Sequence, residues 1–393
     1  MLQRLKHFAA NPSALAGPLI VWIASGFILA PQPVWALFFY IGIVPLTLLH
    51  LRRRLPQADA MMIAAFSLIA WSALTLVWGD SAGPSQTYKF FQEAVCTFVF
   101  LAALLLALTE SSRATRDLGT VLIFGGTLNA AFSIARFLIS GTDLANRLAG
   151  WAETRQQVLG AMVIGVCYVL ALGRWVDERQ HRALNGAACV VLLSFILLTF
   201  SRGPLVAASL ATLILLSRLS GRRMLAVCGG AAALGVAVML LSSATIERLY
   251  NLLTVRGTSN RLTIWSYAID RIMERPLVGH GLAADFGMTD IPFPHSLYFS
   301  ALFYTGAVGF VLLVALLSLI LWGLVRMQSA PERTMLFALW VDVLVGGLTD
   351  VGQITKGPAP LWYIFWIPVG LSVAAIYAAR ASMDGKPAAS ERA

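Results

Sequence analysis

Apolar runs of bilayer-spanning length recur throughout this chain. They fall near residues 14–30, 34–50, 60–78, 90–109, 118–139, 157–175, 183–200, 204–219, 224–243, 298–325, 334–350 and 360–379. A helix needs about 20 mostly apolar residues to cross the hydrocarbon core, and every backbone N–H and C=O inside it must find a partner. The runs therefore predict an all-α integral membrane protein with about 12 transmembrane helices. Composition agrees, with 58% hydrophobic and only 12% charged residues. An ordinary soluble domain is about a quarter charged. At Ser201-Arg202-Gly203-Pro204 the apolar sequence breaks. The flanking stretches together reach about 36 residues, too long for one span, so the break is read as a turn between two helices.

The net charge of +10 does not imply nucleic acid. Basic residues of membrane proteins collect in cytoplasmic loops, so their location matters more than their sum. With the N-terminus inside, most of the 29 lysines and arginines fall on the inner side, and both termini are expected in the cytoplasm. The run after Arg4 and Lys6 lacks a small-x-small cleavage site and is read as a retained span. The expected organisation is nine spans in residues 1–243, a loop with short helices at 244–297 facing the periplasm or cell exterior, three spans in 298–380 and a cytoplasmic tail at 381–393. Cys96, Cys167, Cys189 and Cys228 all lie in apolar runs without CxxC spacing, so neither a disulfide nor a zinc site is expected. No internal repeat stands out.

Polar chemistry gathers in the long loop and beside it. Ser259 or Asn260 can cap a helix running to about Arg275, where Pro276 stops it. Leu262, Trp265, Ile269 and Ile272 recur at helical spacing and predict its apolar face. Arg271 and Arg275 would then face solvent, while Arg261 stays beside whatever the helix packs on. Arg261 pairs with an acid such as Asp285 or Asp290, or it binds a ligand. Arg202 is either a snorkelling anchor or a fixed guanidinium for an anion, a role that suits its planar fork and permanent charge. His295, between Pro294 and Ser296, is a structural histidine or a proton acceptor near neutral pH. His280 could take that part, although its flanking glycines mark a tight turn. Two acids lie in or near spans, Asp342 and Glu93. Glu93 can pair with Lys89 one turn away, and Arg136 is a further partner for either acid. No DxD motif, P-loop or His/Cys cluster of metal spacing occurs, so neither a metal nor an ATP-driven pump is expected.

In order along the chain stand Ser-Arg-Gly at 201–203, Ser-Asn-Arg-Leu-Thr-Ile-Trp at 259–265, Pro-Leu-Val-Gly-His-Gly at 276–281 and Pro-His-Ser-Leu-Tyr at 294–298, then Gly306 and Gly309. This series resembles the O-antigen ligase/polymerase superfamily. The resemblance implies a GT-C-type glycosyltransferase fold in the bacterial inner membrane, with the active site facing the periplasm. It implies transfer of O-antigen from undecaprenyl pyrophosphate to a sugar hydroxyl of lipid A–core, without cofactor or metal. His295 would be the general base, and Arg202 and Arg261 would clamp the pyrophosphate. Arg136, Arg147, His280 and Tyr298 are the further candidates for binding substrate. One departure is Ser296, where the superfamily often has asparagine after the histidine. Membrane lipid is the surrounding partner, and a monomer is the expected state. Within the superfamily, a polymerase or a protein O-oligosaccharyltransferase would use the same donor. Outside it, a lipid-linked glycan flippase is the competing reading, which polar breaks deep in the spans would favour. Asp342 and Gly346-Gly347 are the one such hint.

Overall fold

The computed structural model describes residues 13–52, 59–80, 83–141, 147–219, 221 and 261–383. The expected span at 224–243, the first part of the long loop with Ser259 and Asn260, Cys228 and the tail from 384 onward lie outside these residues.

The described chain is helical. Its elements are α1 (Ser13–Ser25), α2 (Gln32–Leu51), α3 (Ala60–Val77), α4 (Pro84–Thr109), α5 (Ser112–Ile139) and α6 (Gln157–Asp177). They continue with α7 (Arg182–Leu198), α8 (Arg202–Leu216), α9 (Arg261–Glu274), α10 (Leu297–Val325), α11 (Ala330–Asp350) and α12 (Trp362–Met383). Each apolar run that falls on described residues coincides with one helix. Among them, 7 helices are long and apolar enough to cross a membrane, namely α2 to α6, α10 and α12. Three shorter apolar helices, α1, α7 and α8, stand beside them. α11 has 21 residues, but Glu332, Arg333, Asp342 and Asp350 keep it out of that set. The chain is a multi-pass membrane protein.

Local chemistry sets several helix starts. Asp59 caps α3 by accepting from Met61 N at 3.0 Å, and Ser111 caps α5 by accepting from Ala114 N at 3.2 Å. Proline occupies the first turn of α2, α4 and α11, where its missing N–H costs nothing. The break at Ser201 is a turn. Phe200 takes φ 48° and ends α7, and Arg202 opens α8. α8 packs on α6 and α11, α6 on α7, α3 on α10, and α12 on α4. One apolar core runs through all of them.

Hydrogen bonds sort the connecting segments into two ends. At one end, Gln32 Nε2 donates to Pro358 O at 2.7 Å, Glu153 N to Gly26 O at 3.3 Å, and Gln353 Nε2 to Leu282 O at 2.6 Å. At the other, Arg218 pairs with Asp177 at 2.6 Å, Arg174 donates to Arg116 O at 2.9 Å, and Arg380 pairs with Asp59.

The segment 261–293 builds a second core on α3, α4 and α10, from Ile264, Ala268, Ile272, Leu282, Phe286, Phe303 and Tyr304. This corrects the expected face of α9. Ile272 and half-buried Trp265 lie against the protein, but Leu262 is 62% and Ile269 49% exposed. The contact follows Ile264, Ala268 and Ile272, because fully buried Ala268 lets the two backbones approach closely. The apolar sector of α9 is wider than the strip that α10 covers. Arg271 and Arg275 are also not freely solvated. Arg271 pairs with Glu274 at 2.5 Å, and Arg275 reaches Asp80 at 3.1 Å.

Candidate functional site

His295 closes the loop before α10 with its backbone in the left-handed region, at φ 52°. Its Nδ1 is hydrogen-bonded to Oδ1 of Asp350, the last residue of α11 and only 3% exposed. A carboxylate can only accept, so the neutral ring carries its proton on Nδ1 and leaves the Nε2 lone pair free. The His295 side chain is 26% exposed. Phe293 lies against the ring at 4.2 Å between centroids. The second oxygen of Asp350 accepts from Gln156 Nε2 at 3.2 Å.

Arg261 opens the described part of α9. Its Nη1 donates to the carbonyl of His295 at 3.4 Å, and Asp350 is its electrostatic partner in place of Asp285 or Asp290. Burial lowers its pKa from the usual arginine value, and the Asp350 charge opposes that. A guanidinium nevertheless stays charged at physiological pH. Arg202 reaches the same neighbourhood through packing. A Cβ on Gly203 would lie 2.1 Å from Thr349 Oγ1, so the first turn of α8 rests on the residue that precedes Asp350. Arg202 itself is exposed. Four segments of the chain thus bring two arginines and a histidine–carboxylate pair to one end of the bundle.

The four further candidates do other things. Arg147 donates from Nε to Thr199 O and from Nη2 to Ser201 Oγ, both at 2.9 Å, and so braces the turn that carries Arg202. Arg136 reaches the carbonyls of Ala149 and Gly150 at 3.3 and 3.2 Å and lies over the Trp151 ring at 5.2 Å. Those bonds hold it to the α5–α6 segment instead of to Asp342 or Glu93. Tyr298 donates to Leu344 O at 3.0 Å and ties α10 to α11. His280, 2% exposed, bonds Arg271 O at 2.7 Å, stacks on Phe303 at 4.8 Å and faces Asp80 at 3.5 Å. It is a post under α9 and makes no contact with the His295 group.

Asp342 is buried in α11 against Gly165 of α6, and the Glu93 Oε2 is buried without a hydrogen-bond partner. Glu153, in the α5–α6 segment, has a buried, unpartnered Oε2. Its burial raises its pKa to about 7 against the opposing charge of Arg155. Among the described residues no group of His, Cys, Asp and Glu has the arrangement of a metal site.

Sequence reasoning missed Asp350 and Gln156. The only available signal was that Asp350 is the last residue of an apolar run, and mid-span Asp342 drew the attention instead.

Comparison with known proteins bears on the same residues. The family model described as O-Antigen ligase matches residues 187–314, which hold Arg202, Arg261 and His295. A protein of Pseudomonas aeruginosa described as O-antigen ligase is 29% identical over 346 residues, covering 85% of this chain and 83% of that one. The chain is thus similar to O-antigen ligases, glycan-transferring enzymes, over most of its length.

Proposed function

We propose that the protein transfers a lipid-linked O-antigen glycan from undecaprenyl pyrophosphate to a sugar hydroxyl of lipid A–core, in the lipopolysaccharide biosynthesis of a bacterial inner membrane. The fold would be of the GT-C type, with the His295 end of the bundle facing the periplasm. The observation that carries this reading is the His295–Asp350 pair, set beside two arginines at the end of a membrane bundle.

Asp350 holds the imidazole with Nε2 unprotonated. That nitrogen takes the proton of the acceptor hydroxyl as its oxygen bonds to the anomeric carbon of the donor. The bond from that carbon to the pyrophosphate oxygen breaks, and its electron pair leaves with undecaprenyl pyrophosphate. The proton then passes from the imidazolium to water. Arg202 and Arg261 meet the charge that grows on the departing pyrophosphate, where fixed cations act most strongly in a water-poor site. Pyrophosphate is already a good leaving group, so the chain needs no nucleotide, and in the absence of a DxD motif the arginines take the place of a divalent cation. A positioned base contributes about 10²–10⁴-fold.

The test is product identity. Purified protein in lipid nanodiscs is mixed with polyprenyl-pyrophosphate-linked glycan and lipid A–core, and both lipids are resolved on a gel. Glycan on lipid A–core is the expected result. Longer chains on the polyprenyl carrier would assign a polymerase instead. Movement of the donor between leaflets without transfer would assign a flippase.

A further inference from the structure

We infer that Gln156 is a positioning residue that sets the direction of the hydrogen bonds running through Asp350 to the His295 ring. The inference rests on the reading of His295 as the base. Gln156 is the cap of α6, and its Oε1 accepts from Leu159 N at 2.5 Å. A backbone N–H can only donate, so the atom it meets must be the amide oxygen. The NH₂ group of the same side chain is therefore the end that faces Asp350 Oδ2, at 3.2 Å. An amide NH₂ can only donate as well. Asp350 must accept on that oxygen, and it accepts on the other from His295 Nδ1.

One backbone N–H at a helix start thus fixes the polarity of the whole chain of bonds. It holds Asp350 as an acceptor on both sides, the ring proton on Nδ1 and the lone pair on Nε2. A hydroxyl or a water in the place of Gln156 could turn round and accept, but an amide pinned at its oxygen cannot.

The backbone beneath Gln156 is itself held. Gly160 N donates to Gln156 O at 2.6 Å. Just upstream, Thr154 Oγ1 donates to Asn129 Oδ1 at 2.7 Å, and Asn129 Nδ2 donates to Phe27 O at 2.7 Å and Trp151 O at 3.0 Å. The stretch matched by the family model, 187–314, includes neither Gln156 nor Asp350, so the polarity device lies outside it.

The test compares Gln156→Glu with Gln156→Ala in the glycan-transfer assay from pH 6 to 8.5, with His295→Ala alongside and thermal melting of each protein as a folding check. Glutamate keeps the cap, because a carboxylate oxygen also accepts from Leu159 N and negative charge suits a helix start. It also sets a second carboxylate against Asp350. Two such groups cannot both stay ionised at close range. When they share a proton the donor is restored, and when they lose it Asp350 is pushed off the ring. The Gln156→Glu rate relative to wild type should fall on the order of 10–100-fold at pH 8.5 and recover toward pH 6, with kcat affected more than KM. Gln156→Ala should be slowed at all pH values. A Gln156→Glu to wild-type ratio that stays constant across the range, at parity or uniformly reduced, would overturn the inference, since a purely structural cap gives no pH dependence. If His295→Ala keeps full activity, the base assignment fails first, and the role of Gln156 fails with it.

Discussion

His295 holds its backbone at φ 52°, a region where a Cβ costs about 1–2 kcal/mol. The strain falls where the ring meets Asp350, as strain often does at working sites. Replacing Asp350 with asparagine keeps the shape but turns one accepting oxygen into an NH₂ donor. With Gln156 donating to the remaining oxygen, that NH₂ faces Nδ1, and the ring loses its reason to carry the proton there. Transfer by Asp350→Asn should drop by about 10²–10⁴-fold with little change in donor KM, measured by initial rates. A loss confined to KM would mean that Asp350 acts in binding. Glu153 gives a second residue-scale prediction. Its folded pKa is raised to about 7 from the ordinary 4.5. The folded state therefore binds that proton more tightly than the unfolded chain, and stability is lost as pH rises from about 4.5 through 7. Glu153→Gln cannot ionise. It should melt like wild type at pH 4 and be more stable at pH 8, by up to about 3 kcal/mol, in thermal melts of detergent-solubilised protein.

The elements that make the site meet through small residues. α8 touches α11 at Gly203, where an added Cβ would lie 2.1 Å from Thr349 Oγ1 and 2.5 Å from its Cβ. Gly203→Ala should force the two helix ends apart and so move Arg202 away from Asp350. The expected outcome is folded protein with at least about tenfold slower transfer, since a shift near 1 Å is enough to cost that much. Wild-type kinetics in this variant would show that the α8–α11 contact does not position the site. This element scale is also where legibility in the sequence ran out. The turn at Ser201 and the helix reaching Glu274 could be read because apolar period, proline and run length are local signals. The packed face of α9 could not be. Leu262 and Ile269 belong to its apolar sector, and only tertiary contact decides that Ile264 and Ala268 are covered instead. Asp350 and Gln156 were hidden for the same reason. Each ends or starts an ordinary helix, and neither acquires meaning until the end of α11 sits between the start of α6 and the loop before α10. His280 shows the converse, a histidine flagged by its glycines that packing turns into a support for α9.

For the whole molecule, successive helices leave their connections at alternate ends. One end collects Gln156, Arg202, Arg261, His295 and Asp350, and the other collects the pairs Arg218–Asp177 and Arg380–Asp59. The basic bias of the second end would face the cytoplasm. Cysteine introduced at Ser140, between α5 and α6, should then react with a membrane-impermeant maleimide in spheroplasts. Cysteine at Gln180, between α6 and α7, should react only after lysis. Both positions are exposed. The reverse pattern would turn the site toward the cytoplasm and remove the periplasmic reading. The most direct test of the whole account is the rate of glycan transfer onto lipid A–core by wild type and His295→Ala in nanodiscs, with chelator present throughout. The account predicts robust wild-type transfer that chelator leaves unchanged, and a loss of about 10²–10⁴-fold in the variant. Equal rates in the two proteins, or a wild-type rate abolished by chelator, would contradict it.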